Sequence, residues 1–223
     1  MPRVTAAHEQ AVRKRIVDAA IGVFGEMGYE RATIQDVVRA SGLSVGAVYS
    51  HFRSKEELFV AACQCEMEEE KAELRLRMAE LSPLSDRLRS AVDFAVASAV
   101  EDSNERGFRA HAWTHAGASP ELRQILRDRY TEMVAFSRLV LQEALVRGEL
   151  PAWIDADRIA SAFITLMDGF LVRAIESADL STEGARREAY SLLELLLAAP
   201  AAVPEAVEKL RGSAVGSAVG SAG

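Results

Sequence analysis

The stretch from Thr33 to Phe59, TIQDVVRASGLSVGAVYSHFRSKEELF, constrains the fold more than any other part of the chain. Thr33 has the hydroxyl of a helix N-cap, and Asp36 follows three residues later to favour the helix start. Ile34, Val37 and Val38 give a short helix one apolar side, and Ser41-Gly42 ends it. Ser44 then caps another helix reaching to Phe52, so a turn of three to four residues containing Gly separates the two. That spacing is a helix-turn-helix. Leu43, Val48 and Phe52 are placed to lock the unit onto a preceding helix, which leaves Ser44, Val45, Gly46, Ala47, Tyr49, Ser50 and His51 facing outward.

A preceding helix is expected from about Ala6 to Met27, with Ile16, Ala19, Ala20, Val23, Phe24 and Met27 at three-and-four spacing and Gly28 as its cap. Gly22, Gly25 and Gly28 are spaced by three and follow a helix rather than a strand, so they make no phosphate loop. Close helix packing accounts for the internal pair. Met1 to Thr5 is read as a flexible arm, from which Arg3 could reach a minor groove. Charge divides along the same line. Residues 1–55 hold eight Lys/Arg against five Asp/Glu, whereas the remainder holds 18 against 28, within a net charge of −7. A basic head and an acidic body suit a chain that meets phosphate at one end.

The run ATIQDVVRASGLSVGAVYSHFRSKEELF, preceded by a helix ending in FGEMGYE, resembles the DNA-binding domain of the tetracycline-repressor-like (TetR) family of bacterial transcriptional regulators. The resemblance covers about the first 60 residues, with Tyr49, Phe52 and Lys55 at its characteristic positions. Beyond them, the match is in length and helical character only. It implies phosphate contacts from Thr33 at a helix N-terminus, from Tyr49 and His51, and from Lys55. Base reading would fall to Ser44, Val45, Gly46, Ala47 and Ser50, none of which can make a bidentate base contact. Thymine methyl packing, hydroxyl contacts, close approach at Gly46 and DNA shape would then carry discrimination.

Gly42-Leu43-Ser44-Val45-Gly46 also fits the G-x-S-x-G nucleophile elbow. That elbow needs a buried strand before it and an alternating β/α chain around it, and the sequence offers neither. No catalytic residue and no cofactor is assigned.

Downstream, a long helix from about Lys55 to Leu81 is the lever between head and body, with Leu58, Phe59, Ala62, Met67, Leu74, Met78 and Leu81 marking its apolar side. Its charges, Glu66, Glu68, Glu69, Glu70 and Glu73 with Lys71, Arg75 and Arg77, read as a solvated face. Pro83 stops it. Further helices are expected at about 85–102, 105–117, 119–147, 155–178 and 182–199, followed by a disordered small-residue tail at 212–223. Cys63 and Cys65, two apart on a helix, point in different directions and suggest neither a disulfide nor a metal knuckle.

His111 and His115 share a helix face at a spacing that permits a metal, but no third ligand is evident, so no metal site is assigned. They are read instead as lining a cavity or its mouth. Phe94, Phe108, Trp113, Met133, Phe136, Met167 and Phe170 fall on helices able to surround an apolar ligand pocket, with Arg109, Asp168 and Arg173 as polar contacts. Plain core is the competing reading for each of them. The last two helices carry Ile159, Ala162, Phe163, Leu166, Phe170 and Ile175, and Leu192, Leu193, Leu195, Leu196 and Leu197, more apolar width than one core-facing stripe needs. A second buried face follows, and the family resemblance implies a homodimer through it.

The expectation is therefore an all-α chain: a three-helix helix-turn-helix domain over 1–55 and a larger helical ligand-binding and dimerisation domain over 56–211. It would be a cytoplasmic homodimer that holds a near-palindromic double-stranded DNA operator, makes no membrane contact, and is released by a small, apolar molecule. A constitutive dimeric DNA-binding protein without a ligand is the alternative.

Overall fold

The computed structural model describes residues 6–80, 83–100, 103–176 and 181–198. Within them the chain is all-α, without a strand. Helix α1 spans Ala6–Met27, and Ile16, Val17, Ala20, Val23 and Phe24 form its buried stripe. Gly28 stops it in the left-handed conformation at φ 79°, with its N–H bonded to the Phe24 carbonyl at 2.9 Å. Helix α2 is Ile34–Ser41 and α3 is Val45–His51. A capping box starts α2: the Thr33 hydroxyl accepts from the Asp36 N–H, and the Asp36 carboxylate accepts from the Thr33 N–H. Gly42, at φ 64°, donates to the Val38 and Arg39 carbonyls, and Ser44 caps α3 by accepting from the Ala47 N–H.

Six more helices follow among the described residues: α4 Lys55–Glu80, α5 Leu84–Val100, α6 Ser103–His115, α7 Pro120–Val146, α8 Ala156–Glu176 and α9 Thr182–Ala198. These limits lie within three residues of those expected from the sequence. Ser119 caps α7 by accepting from the Leu122 N–H, with Pro120 at the helix's first position. The expected arm at Met1–Thr5, Leu81 of the lever's apolar side, and the tail at 212–223 lie outside the described residues.

Two apolar cores organise the chain. The first joins Ile16, Phe24, Val37, Val48 and Phe52 of the head and Leu58 and Phe59 of α4 to Phe108 and Ala112 of α6, Ala116 just after it and Leu122 of α7. Phe59 is its hub, edge-on to Phe24 at 5.0 Å and to Phe108 at 5.5 Å. The second core packs α5, α7, α8 and α9 around Leu88, Val92, Val96, Leu141, Ile164, Phe170 and Ala189, with Leu74 and Met78 of α4. Thus α4 serves both cores along one continuous helix, and α6 reaches from the body into the head.

The crossing of α1 and α6 is tight because two glycines meet there. A Cβ on Gly107 would lie 2.5 Å from the Gly25 carbonyl oxygen. Gly22, the other half of the pair read as packing glycines, faces open space. Its helical position turns it away from the crossing that Gly25 makes.

Candidate functional site

The outward face of the helix-turn-helix is largely free, although several of its polar groups are already engaged. Val45 and Tyr49 are among the exposed large apolar side chains of the protein, and Gly46 has nothing near its Cβ position. Ser44 and Ser50 are exposed, Ala47 and His51 half-buried, and Val48 is fully enclosed. Ser44 accepts its cap bond, which leaves the hydroxyl proton free, and Ser50 donates to the Ala47 carbonyl at 2.7 Å.

Thr33 and Lys55 differ from the simple picture of free phosphate donors. The Thr33 hydroxyl donates to the Asp36 carboxylate, and those bonds, with Arg39 beside them, hold the Asp36 carboxyl below the usual carboxylate range. An anion at this helix start would meet the backbone N–H groups of Ile34 and Gln35, which bond nothing else among the described residues. Lys55 turns inward: its ammonium donates to the Tyr29 carbonyl at 2.8 Å and the Glu30 carbonyl at 3.3 Å, and sits 4.4 Å from the centre of the Tyr29 ring. A phosphate contact from it would draw on the one donor left, or require those bonds to open.

Ser44, the serine of the G-x-S-x-G sequence, lies between two helices as an N-cap, with no strand before it. The strained strand-to-helix turn that would make it a nucleophile is absent.

The body places the sequence-derived ligand residues in three different settings. Phe108, Arg109, Trp113 and Met167 line a small cavity of about 40 Å³ between α4, α5, α6, α7 and α8. Trp113 and Phe170 also line an open, mainly apolar groove of about 950 Å³ formed by α6, α7, α8 and α9. Asp168 and Trp113 are shared by cavity and groove. His111 and His115 do neither. They line a separate crevice of about 370 Å³ against the end of α1, with Gly28, Tyr29 and Arg31. The His115 ring lies 4.1 Å from that of Tyr29, and a Cβ on Gly28 would stand 3.0 Å from the His111 ring. They therefore sit at the junction of head and body, against the end of α1, rather than on the cavity or the groove. Met133 is buried in the second core, and Phe94 and Phe136 pack against it. Those three line neither the cavity, the groove nor the crevice, and the Arg77 guanidinium lies 5.2 Å from the centre of the Phe94 ring.

The largest departure from the sequence reading is on α4. Glu66 and Glu70, expected on a solvated face, are buried and wired into the body. Arg109 donates from Nε to Glu66; Arg129 grips Glu70 with Nε at 2.7 Å and a terminal nitrogen at 2.9 Å, and reaches Asp168 at 3.1 Å. Burial pushes Glu66 and Asp168 up in pKa, with Arg109 and Arg129 respectively opposing it. For Glu70 burial acts the same way, but its Arg129 bonds win and hold it low. Lys71 is buried too, bonded to Glu68 at 2.5 Å and Glu132 at 2.6 Å. Arg173, a proposed polar contact, pairs with Glu188 on the groove wall. The missed signal was the pairing across the bundle of acids at i and i+4 on α4 with Arg109 of α6 and Arg129 of α7. The described residues contain no group of three or more His, Cys, Asp or Glu placed to hold a metal ion.

A basic-headed, all-α chain with an exposed helix-turn-helix and a groove in its body is a DNA-binding regulator by class. The family profile for bacterial regulatory proteins of the tetR family matches residues 16–62, and that for the C-terminal part of BetI-type transcriptional repressors matches residues 84–198. A transcriptional regulator of Bacillus subtilis, YfiR, is 32% identical over 191 residues, covering 81% of this chain and 90% of its own. The chain belongs to the TetR family of transcriptional regulators, which bind DNA and are not enzymes. Solved structures agree in fold. A Saccharomonospora viridis regulator in complex with choline has a TM-score of 0.74 at 19% identity, covering 83% of this chain and 96% of that one. FadR of Bacillus subtilis in complex with stearoyl-CoA has 0.68 at 18%, covering 82% and 97%. Among the described residues no helix is long and apolar enough to cross a membrane.

Proposed function

We propose that this regulator is a homodimeric repressor released from a near-palindromic operator when a small molecule binds its body. The observation that carries the reading is one of connection. The ion network lies on α4, α6, α7 and α8 and the groove on α6, α7, α8 and α9, and α4 and α6 also supply Phe59 and Phe108 to the core shared with the head. A ligand that favours one placement of α6 alters the support of α1 and so the separation of two heads. Release requires that the ligand bind the DNA-free state more tightly than the operator-bound state.

In this reading the chain divides into a DNA-binding head over 1–55, joined through α4 to a regulatory and dimerising body over 56–211. Thr33, Tyr49 and His51 face the backbone of DNA, with the α2 N–H groups beside Thr33 and the one donor left on Lys55, and Ser44, Val45, Gly46, Ala47 and Ser50 face the bases. Dimerisation uses α8 and α9. Ala162, Val172 and Leu192 are exposed there and Leu166 is half-buried. The side chains of Ile175, Leu195, Leu196 and Leu197 lie outside the described residues. A second copy docked on this face would roof the open groove, turning it into an enclosed ligand site.

The ligand contacts expected from sequence reduce in this reading to Phe108, Arg109, Trp113, Met167, Asp168, Phe170 and Arg173. Choline and stearoyl-CoA in two proteins of this fold differ in charge and size, so ligand chemistry is a matter for each chain's own lining. A constitutive dimeric DNA-binding protein without a ligand is the second reading, favoured by the small size of the cavity, about 40 Å³. The test is operator binding by fluorescence anisotropy with and without a compound shown by calorimetry to occupy the body. Loss of DNA affinity supports release; unchanged affinity at saturation supports the constitutive protein.

A further inference from the structure

The buried ion network is one positive charge short. Glu66, Glu70 and Asp168 bring three carboxylates, Arg109 and Arg129 two guanidiniums, on side chains only 10–15% exposed. These five are the charged groups facing the cavity: Glu66 and Glu70 from α4, Arg109 from α6, Arg129 from α7 and Asp168 from α8. Arg173, the cation on the nearby groove wall, is paired with Glu188.

Hydrogen bonding shows where the deficit lies. Both oxygens of Glu70 are held by Arg129. Glu66 accepts one bond, on Oε1 from Arg109, and Asp168 accepts one, on Oδ1 from Arg129. The second oxygen of each accepts none among the described residues, although both side chains line the cavity. Neither oxygen is among the fully enclosed polar atoms that lack a partner, so each keeps access to open space, where a donor can reach it. A proton on one carboxyl relieves the charge; a cation with N–H donors relieves both charge and bonding.

Size and surroundings narrow the cation. The cavity, about 40 Å³, exceeds the roughly 10–15 Å³ a water needs, so a bare ammonium or a flat amidinium fits more readily than a head carrying three methyl groups. Trp113 and Asp168 form a wall shared with the apolar groove, which continues along Leu166, Phe170 and Leu192. The indole can also face a cation.

We propose that the body recognises a protonated primary amine or amidine with an apolar tail, its N–H groups on the free oxygens of Glu66 and Asp168 and its tail past Trp113 in the groove. This rests on the ligand-responsive reading above and assigns that ligand's chemical class.

The test uses the full-length protein and four probes sharing one tail: decylamine, protonated at neutral pH, decyltrimethylammonium, decanol and decanoate, each below its micellar concentration. Calorimetry should show decylamine binding at least about tenfold tighter than decanol, decyltrimethylammonium weaker than decylamine, and decanoate weakest, a tenfold step being about 1.4 kcal/mol. Glu66→Gln and Asp168→Asn each keep an acceptor for their arginine while removing the surplus charge. In both, decylamine should weaken tenfold or more with decanol unchanged, and the empty protein should melt no lower than the parent.

Equal binding of decanol and decylamine, preference for decanoate, no binding of any probe, or decylamine affinity unmoved in both variants overturns the assignment. Operator release is scored separately. Release by decanol or decanoate keeps the ligand-released repressor and overturns the amine; decylamine bound with the expected variant response, but with the operator complex intact, keeps the amine site and overturns release.

Discussion

Replacing Gly107 by Ala tests the mechanical link between body and head. The new Cβ would stand 2.5 Å from the Gly25 carbonyl oxygen and 3.3 Å from its carbon, both backbone atoms that cannot swing aside. To restore an ordinary C···O separation of about 3.3 Å, α6 must withdraw from α1 by about 0.8 Å. Overpacking of this kind costs about 1–3 kcal/mol. Alanine also gains about 1 kcal/mol over glycine inside a helix, which masks part of the loss. Gly22→Ala supplies the control, since it brings the same helix gain on α1 where nothing lies within 4 Å. The gains cancel in the comparison, so Gly22→Ala should be the more stable of the two by about 1–3 kcal/mol, or roughly 2–12 °C in melting temperature for a chain of this size. Calorimetric melts and operator anisotropy on the same preparations read both consequences. The displaced α6 should weaken DNA binding in Gly107→Ala and leave it unchanged in Gly22→Ala. Equal melting temperatures with equal operator affinity would refute the claim that this crossing positions the head.

Three further outcomes follow from named contacts. Arg129→Met leaves Glu70 and Asp168 buried without their guanidinium and should cost about 3–5 kcal/mol in denaturant unfolding. Glu66, with its folded pKa raised, contributes stability that is complete below its ordinary value of 4.5 and lost as pH rises through the folded value; Asp168 has the same sign and Glu70 the opposite. The melting temperature of Glu66→Gln should therefore gain on the parent as pH rises from 5 to 8, and a constant difference would contradict the buried charge. Thr33→Ala removes both hydroxyl bonds of the capping box and should cost about 1 kcal/mol, whereas Thr33→Ser should retain most of it; equal losses in the two would remove the cap from the explanation.

The head was legible because its signals are local. Thr33 and Asp36, Ser44, Gly28 and Gly42 act within four residues of themselves, and each caps or ends a helix where its chemistry places it. Helix limits in the body were readable for the same reason, from Pro120 and the glycine and proline after α7. Side-chain partners across the bundle were not. The charges on α4 look alike in sequence, yet Glu66 and Glu70 turn inward to Arg109 and Arg129, more than forty positions away, while Glu68 and Glu69 stay outside. Lys55 shows the same limit, since its carbonyl partners on Tyr29 and Glu30 are brought close only by the packing of α1 against α4. Gly107 gave no local sign of its role, because the atom it makes room for belongs to another helix. His111 and His115 could be paired with each other by periodicity, but not with the end of α1.

The central claim is that two heads, held at a spacing set by the body, occupy successive major grooves. Selection of bound DNA from a random pool, followed by mass measurement of the complex, tests it most directly. The account predicts two chains, or a multiple of two, on a near-palindromic site whose half-sites lie about 34–36 Å apart or a whole number of turns further. A single chain bound to an asymmetric site, or retention of DNA without any common sequence, would contradict it.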